Sequence, residues 1–364
     1  MRLDDVQITQ FRNLAAVQLR PTAALNLIVG DNGSGKSSLL EAIHYLGFGR
    51  SFRTLKHNHV INNDAHHFTL FCRATDNEGR KIQLGYQRER NSEPVIKING
   101  ELLKRVSELA RVFPVQLFMP NSSDLITGAP RMRRRFLDWG VFHVEHGFLE
   151  ASVGYQKVLR QTNALIRQKS SIKDDMFDYW LTQLGQVGMA IHEYRSRFFS
   201  CIEPFLLRNL AHFLPEFSFK ISYHSGWEKG RDLTETLLEQ QEKDRRFGHI
   251  SSGPHKADLR LKANDVPVHE VLSRGQLRML VAALLLAQAQ LLQQQQSRSC
   301  VFLLDDIGAE LDADRRKIFV DALLQTSAQV FITAIEKEQI NFVENYKDKK
   351  VFHVEHGQVR EEIN

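Results

Sequence analysis

Cysteine is scarce in this chain: Cys72, Cys201 and Cys300 are widely spaced and form no Cys-x-x-Cys pair. That argues against a disulfide framework or a cysteine-based zinc site and fits a reducing cytoplasm. Long apolar runs are also missing. The most apolar stretch, 280–292, contains two glutamines and is too short to span a bilayer, so it reads as a buried helix. The opening residues Met1-Arg2-Leu3-Asp4-Asp5 carry charge where an export signal needs an apolar run. Neither export nor a membrane is expected, and the cytoplasm is the expected location. An excess of one charge is nearly absent: 48 Lys and Arg stand against 43 Asp and Glu, a net charge of +5. Such a surplus favours a polyanionic partner only where it is clustered. Internal repeats amount to one heptapeptide, Val-Phe-His-Val-Glu-His-Gly, at 141–147 and again at 351–357. Its histidines sit in two different contexts with no third type of ligand nearby, which argues against a metal site.

What is present divides into three stretches. With 364 residues, about two domains are expected. Residues 1–120 read as α/β, with strands at 6–11, 25–29, 68–74, 82–87, 95–98 and 115–119 and a helix at 37–46. From 132 to about 214 prolines and glycines are few and apolar residues recur at near-helical spacing, which predicts a helical arm. An alternating segment at 217–223 is expected to be a strand returning to the α/β body. The last third alternates again: helix 273–292, strand 300–304, helix 313–324, strand 329–333, and a strand pair near 351–359.

Gly30-Asp31-Asn32-Gly33-Ser34-Gly35-Lys36-Ser37 follows a strand and opens a helix, the context of a Walker A phosphate loop. Glycines let backbone N–H groups turn inward around phosphate oxygens, and the helix adds its positive dipole end. Lys36 neutralises β- and γ-phosphate charge, and Ser37 offers a hydroxyl to Mg²⁺. Val301-Phe302-Leu303-Leu304-Asp305-Asp306 is an apolar strand ending in two acids, which is costly unless something neutralises them. It reads as a Walker B element, with Asp305 on Mg²⁺ and Asp306 orienting and deprotonating the attacking water. Leu272-Ser273-Arg274-Gly275-Gln276 precedes the most apolar helix, with Ser273 a natural N-cap.

The order of these motifs resembles the ABC ATPase head of SMC-type and recombination proteins. More specific blocks accompany them: Phe11-Arg12-Asn13, Gly49-Arg50-Ser51-Phe52-Arg53, Gly128-Ala129-Pro130 with Arg133-Arg134-Arg135-Phe136-Leu137-Asp138, Gly253-Pro254-His255-Lys256-Ala257-Asp258-Leu259, and Leu304-Asp305-Asp306 running on to Asp312. Together these resemble the RecF family of bacterial recombination mediators. The resemblance implies that Gln116 is the Q-loop glutamine and that Arg12 lies near the nucleotide phosphates. It implies that Ser273, Arg274, Gly275 and Gln276 form a signature acting in trans, and that Asp312 is the D-loop aspartate. It further implies an ATP-dependent homodimer, duplex or gapped DNA as ligand, and RecR, RecO and RecA as partners in repair, replication and the SOS response. The chain departs from generic ABC heads in three places. Asp306 stands where glutamate is usual, Arg274 where glycine is usual, and Thr333 where a switch histidine is usual. Asp306, one methylene shorter than glutamate, predicts slow ATP hydrolysis, and the resemblance implies that the hydrolysis is DNA-dependent.

Two basic groups are candidates for DNA. Arg50, Arg53 and Lys56 follow the Walker helix, and Arg133 and Arg134 open the arm. Neither group reads bases, so phosphate contacts and little sequence preference are expected. The expected fold is α/β: an ABC-type, SMC-like head split between 1–125 and 215–364, with a mostly helical arm, 126–214, inserted. A transport ATPase would lack so long an arm, and a chromosome tether would need a longer coiled coil.

Overall fold

The computed structural model describes residues 1–167, 174–335 and 337–362. The chain forms two compact units, Met1–Ser122 with Arg278–Asn364, and Ser123–Leu277.

The first unit has two sheets. One is antiparallel and built wholly from early residues, in the order Leu14–Leu19, Arg2–Phe11, His67–Thr75, Lys81–Glu89, Val95–Ile98, Glu101–Leu102. Asp76 to Gly79 and Asn99-Gly100 supply the turns that join its strands. The other sheet runs Gln358–Glu361, Lys349–Glu355, Leu25–Val29, Gln329–Ala334, Val301–Leu304, Val115–Phe118. All its neighbours are parallel except the edge pair Lys349–Glu355 and Gln358–Glu361. Strands buried on both faces are continuously apolar, and Leu25–Val29 and Val301–Leu304 are buried at every residue.

Helix Lys36–Phe48 follows the phosphate loop. Every residue from Ser38 to Gly47 is buried, so this stretch of the helix has no solvent face. Leu39, Leu40, Ala42, Ile43 and Leu46 pack in one core with Leu3, Val6 and Phe11 of the antiparallel sheet and Ile28, Leu303 and Phe331 of the parallel one. Buried Gln329 ties the sheets together at the far end. It accepts from the Leu3 N–H at 2.8 Å and donates to the Leu3 carbonyl at 2.9 Å.

The second unit holds helices Pro130–Val144, Phe148–Arg167 and Asp174–Phe213, with a sheet ordered Val266–Pro267, Asp258–Ala263, Phe219–His224. Two expectations change here. The alternating segment near 217–223 is a strand, but it pairs with Asp258–Ala263 in the second unit instead of returning to the first. The split lies at Leu277, not at residue 214. Alternation reports that a segment is half-buried and says nothing about which sheet receives it.

Two of the family-like blocks, more than a hundred residues apart, close on each other inside this unit. Arg133 grips Asp258 with two bonds, 2.7 and 3.1 Å, and also donates to the carbonyls of Ile126 and Gly128. Arg134 donates to the Ala257 carbonyl at 2.7 Å. Buried Arg195 holds Asp138 with two bonds and the Pro254 carbonyl with a third. Tyr155 meets His255 Nδ1 at 2.6 Å. These bonds give Arg133 and Arg134 a structural role within this unit, which the expectation that they contact DNA had not included.

Helix Arg274–Gln296 has 23 residues, longer than its apolar stretch suggested, and among the described residues it alone is long and apolar enough to cross a membrane. Its apolar window is 78% buried within the protein, the state of a core helix.

Candidate nucleotide site

In the parallel sheet, Leu304 is in register with both Phe118 and Ile332, and Val29 is in register with Ala334. The carboxyl ends of four strands therefore open at one edge, where ligands of α/β sheets bind. The phosphate loop leaves Val29 there, and the paired acids leave Leu304. A pocket at this edge is lined by Asn32, Gly33, Lys36, Ser37, Asp305 and Asp306, with Asn13, Arg53, Pro120 and Thr333 also contributing.

Ser37 Oγ donates to Asp305 Oδ1 at 3.2 Å across 268 residues of sequence. Lys36 Nζ donates to the carbonyls of Gly30, 2.6 Å, and Asp31, 2.9 Å, so the ammonium folds back over its own loop. Burial pulls the Lys36 pKa below its ordinary value, against the opposing charges of Asp306, Asp305 and Asp31. That places a cation and three acids within electrostatic reach of one another. The pocket's polar groups surround a space suited to a phosphate chain entering at a helix N-terminus.

The loop is shaped from outside as well as from within. A Cβ on Gly30 (φ +154°) would stand 2.2 Å from the Val354 carbonyl oxygen. The Gly357 N–H donates to the Ser34 carbonyl at 2.8 Å, and Asn13 Nδ2 reaches the same oxygen at 3.2 Å. The turn that ends the second heptapeptide thus props the phosphate loop. Sequence reasoning missed both props; the signals were Asn13 in the quoted Phe11-Arg12-Asn13 block and the repeated heptapeptide itself.

The other expected residues divide. Asp306 lies in the pocket, in a left-handed backbone conformation (φ +50°, ψ +45°). Arg53, expected on DNA, lines this pocket, with its guanidinium 3.7 Å from buried Glu41. Arg50 and Lys56 are exposed nearby in sequence, and between them Leu55 is 99% exposed. Arg12 does not line the pocket. It makes a two-bond pair with Glu41, 2.7 and 3.0 Å, and faces a neighbouring cleft with His59 and Asn62. Gln116 is not there either: it is buried in mid-strand and donates to Gln288 at 2.8 Å. Both side chains found closer partners, a buried carboxylate for Arg12 and an amide for Gln116. Asp312 caps helix Ala313–Gln325 by accepting from the Arg315 N–H at 2.9 Å.

In the second unit, Ser273 and Gln276 form a reciprocal capping box. The Gln276 N–H donates to Ser273 Oγ at 3.3 Å, and the Ser273 N–H donates to Gln276 Oε1 at 2.9 Å. Gln276 Nε2 is further held by Glu216 at 3.0 Å. Ser273 Oγ accepts in this arrangement, which leaves its own proton for another acceptor.

A phosphate loop and paired acids on one parallel-sheet edge, with an Leu-Ser-x-Gly-Gln segment capping a long apolar helix, define an ATPase head of the SMC class. The RecF/RecN/SMC N-terminal domain family matches residues 2–360. The DNA replication and repair protein RecF of Pseudoalteromonas atlantica is 50% identical over 363 residues, 100% of each chain. That of Shewanella frigidimarina is 40% identical over 359 residues, 99% of each chain. Within the class, this chain belongs to the RecF family. Among solved structures, the recombination mediator protein RecF with ATP, from the RecFOR pathway, superposes with a TM-score of 0.88 at 25% identity over 100% of this chain and 98% of that one. An Smc head bound to the C-terminal winged-helix domain of ScpA shares the fold, with a TM-score of 0.61 at 16% identity over 100% of this chain and 97% of that one.

Proposed function

We propose that this chain is an ATP-dependent recombination mediator that holds DNA between two copies of itself and releases it on ATP hydrolysis. The observation that carries the proposal is the Ser37–Asp305 contact, which joins the phosphate loop to the paired acids at one pocket. ATP binds with its phosphates against the amides of Gly33 to Lys36, and Lys36 turns from the loop carbonyls to the β- and γ-phosphates. The hydroxyl of Ser37 and the carboxylate of Asp305 are adjacent oxygen donors, a pair suited to Mg²⁺. The ion would supply neutralisation of phosphate charge there. Asp306 orients the attacking water and takes its proton. It is one methylene shorter than glutamate, so turnover is slow.

The free proton of Ser273 and the helix N-terminus behind it suit an anion, and in the dimer that anion is the γ-phosphate held by the other copy. Clamping then depends on ATP. Arg50 and Lys56, exposed and with no acid between them, meet DNA phosphates, and the duplex stimulates hydrolysis. The RecFOR name of the solved relative supports RecO and RecR as partners in loading RecA, in the cytoplasm where DNA is repaired. Light scattering with and without ATP and Mg²⁺ tests the clamp: mass should double with nucleotide in the wild type and stay monomeric in Lys36→Ala. A wild-type mass indifferent to ATP would overturn it. An ATPase rate in Asp306→Asn equal to wild type would remove Asp306 from the chemistry.

A further inference from the structure

Thr333 sits on strand Gln329–Ala334, between the strand that feeds the phosphate loop and the strand that ends in the acids. It is 1% exposed, yet its hydroxyl lies at the pocket. Two contacts fix that hydroxyl completely. The Asp306 backbone N–H donates to Thr333 Oγ1 at 2.8 Å, and Thr333 Oγ1 donates to Asp305 Oδ1 at 2.8 Å. A hydroxyl has one proton to give, so once it accepts from Asp306 its proton goes to Asp305. One side chain therefore holds both acids, one through the backbone and one through the carboxylate.

Asp306 has a left-handed backbone, uncommon for a non-glycine residue though accessible to aspartate. In that conformation its N–H meets Thr333 Oγ1. Asp305 is held from the other side by the Ser37 hydroxyl at 3.2 Å and by its own N–H on the Phe118 carbonyl at 2.9 Å. Thr333 is the remaining tie, and it comes from a third strand.

We infer that Thr333 is a positioning residue for hydrolysis, which fixes Asp306 relative to Asp305 through its hydroxyl and takes no part in binding ATP. This rests on the proposed reading of Asp306 as the group that handles the attacking water. Removing the hydroxyl while keeping the branched shape should loosen the acids and leave the phosphate loop untouched. Partners that orient a metal-ligating group, as Thr333 does Asp305, typically cost about 10- to 100-fold in metal affinity or activity when lost.

The test compares wild type, Thr333→Val and Thr333→Ser as full-length proteins. Three quantities are measured: steady-state ATPase rate, affinity for ATP in the presence of EDTA, and melting temperature. Thr333→Val should lower kcat about 10- to 100-fold with ATP affinity within about twofold of wild type. Thr333→Ser, which restores the hydroxyl, should recover most of the rate. Three outcomes would overturn the inference: kcat unchanged in Thr333→Val, serine as slow as valine, or kcat and ATP affinity falling together. Wild type without Mg²⁺-dependent turnover would instead defeat the proposed function itself.

Discussion

Replacing Gly357 by alanine should weaken ATP binding although residue 357 lies in a C-terminal hairpin turn. Gly357 has φ +78°, and a Cβ there would stand 2.1 Å from the Asn13 carbonyl oxygen. The left-handed backbone alone costs a non-glycine residue about 1–2 kcal/mol. The overlap with a backbone oxygen cannot be relieved by a rotamer change, so the turn must retreat. Retreat breaks the bond from the Gly357 N–H to the Ser34 carbonyl, worth about 1–3 kcal/mol if either group stays buried and unpaired. The phosphate loop then loses the prop that holds its Ser34 peptide. We expect ATP affinity to fall about 10- to 100-fold, which is about 1.4–2.8 kcal/mol. Gly79→Ala is the control: Gly79 has φ +81°, but nothing lies within 4 Å of a Cβ placed there. It carries the backbone strain and spares the loop. The assay is titration of a fluorescent ATP analogue, with melting curves to confirm folding. A folded Gly357→Ala protein that binds ATP within twofold of wild type would refute the reasoning. So would an equal loss of affinity in Gly79→Ala.

Three further outcomes follow, two from the second unit and one from Arg50 in the first. Arg133→Ala removes the guanidinium from Asp258, which keeps only the Leu259 N–H, and from two carbonyls, and should destabilise the protein by about 2–3 kcal/mol in denaturant melts, with the salt dependence of DNA binding unchanged. Arg50→Ala should instead lower the slope of log affinity against log salt by about 1 at little cost in stability, and the reverse pattern would restore Arg133 as a DNA ligand. Burial pulls His255 from its ordinary 6.5 down to about 4, with Lys256, Arg134 and His249 adding to the shift and the Ile250 carbonyl opposing it. A depressed folded pKa means that neutral His255 contributes its full stability above pH 6.5 and loses it as pH falls toward 4. Melting temperature should drop across that window, and less steeply in His255→Gln; identical slopes would exclude His255 as a source.

The phosphate loop and the paired acids were legible in the sequence because each is a local signal: glycines at fixed spacing, and charges ending an apolar strand. Their meeting around one pocket followed from the family resemblance, and the strand register bears it out. The partners that Gln116 and Arg12 make in this structure, Gln288 and Glu41, were not legible, because motif position does not reveal which neighbour a side chain meets. Arg133 and Arg134 read as a basic cluster because Asp258 and Ala257 lie more than a hundred residues away. The heptapeptide shows the limit most directly. Val-Phe-His-Val-Glu-His-Gly ends helix Pro130–Val144 in its first copy and fills strand Lys349–Glu355 in its second. The same residues take both forms. The first copy continues a helix begun at Pro130, while the second lies alongside Leu25–Val29 in the sheet, so neighbours and not propensity decide.

The interleaving of the parallel sheet sets a timetable for synthesis. The antiparallel sheet is complete in sequence once residue 102 has emerged. Strand Leu25–Val29, by contrast, finds both its neighbours, Gln329–Ala334 and Lys349–Glu355, only near the end of the chain. At about 5–20 residues per second, an apolar ribbon and the phosphate loop attached to it wait roughly 15–60 s on the ribosome before the sheet can form around them. A nascent chain arrested before residue 329 should therefore carry an open strand edge that invites holdase chaperones, and competence for nucleotide should arrive in one late step as the last strands are released.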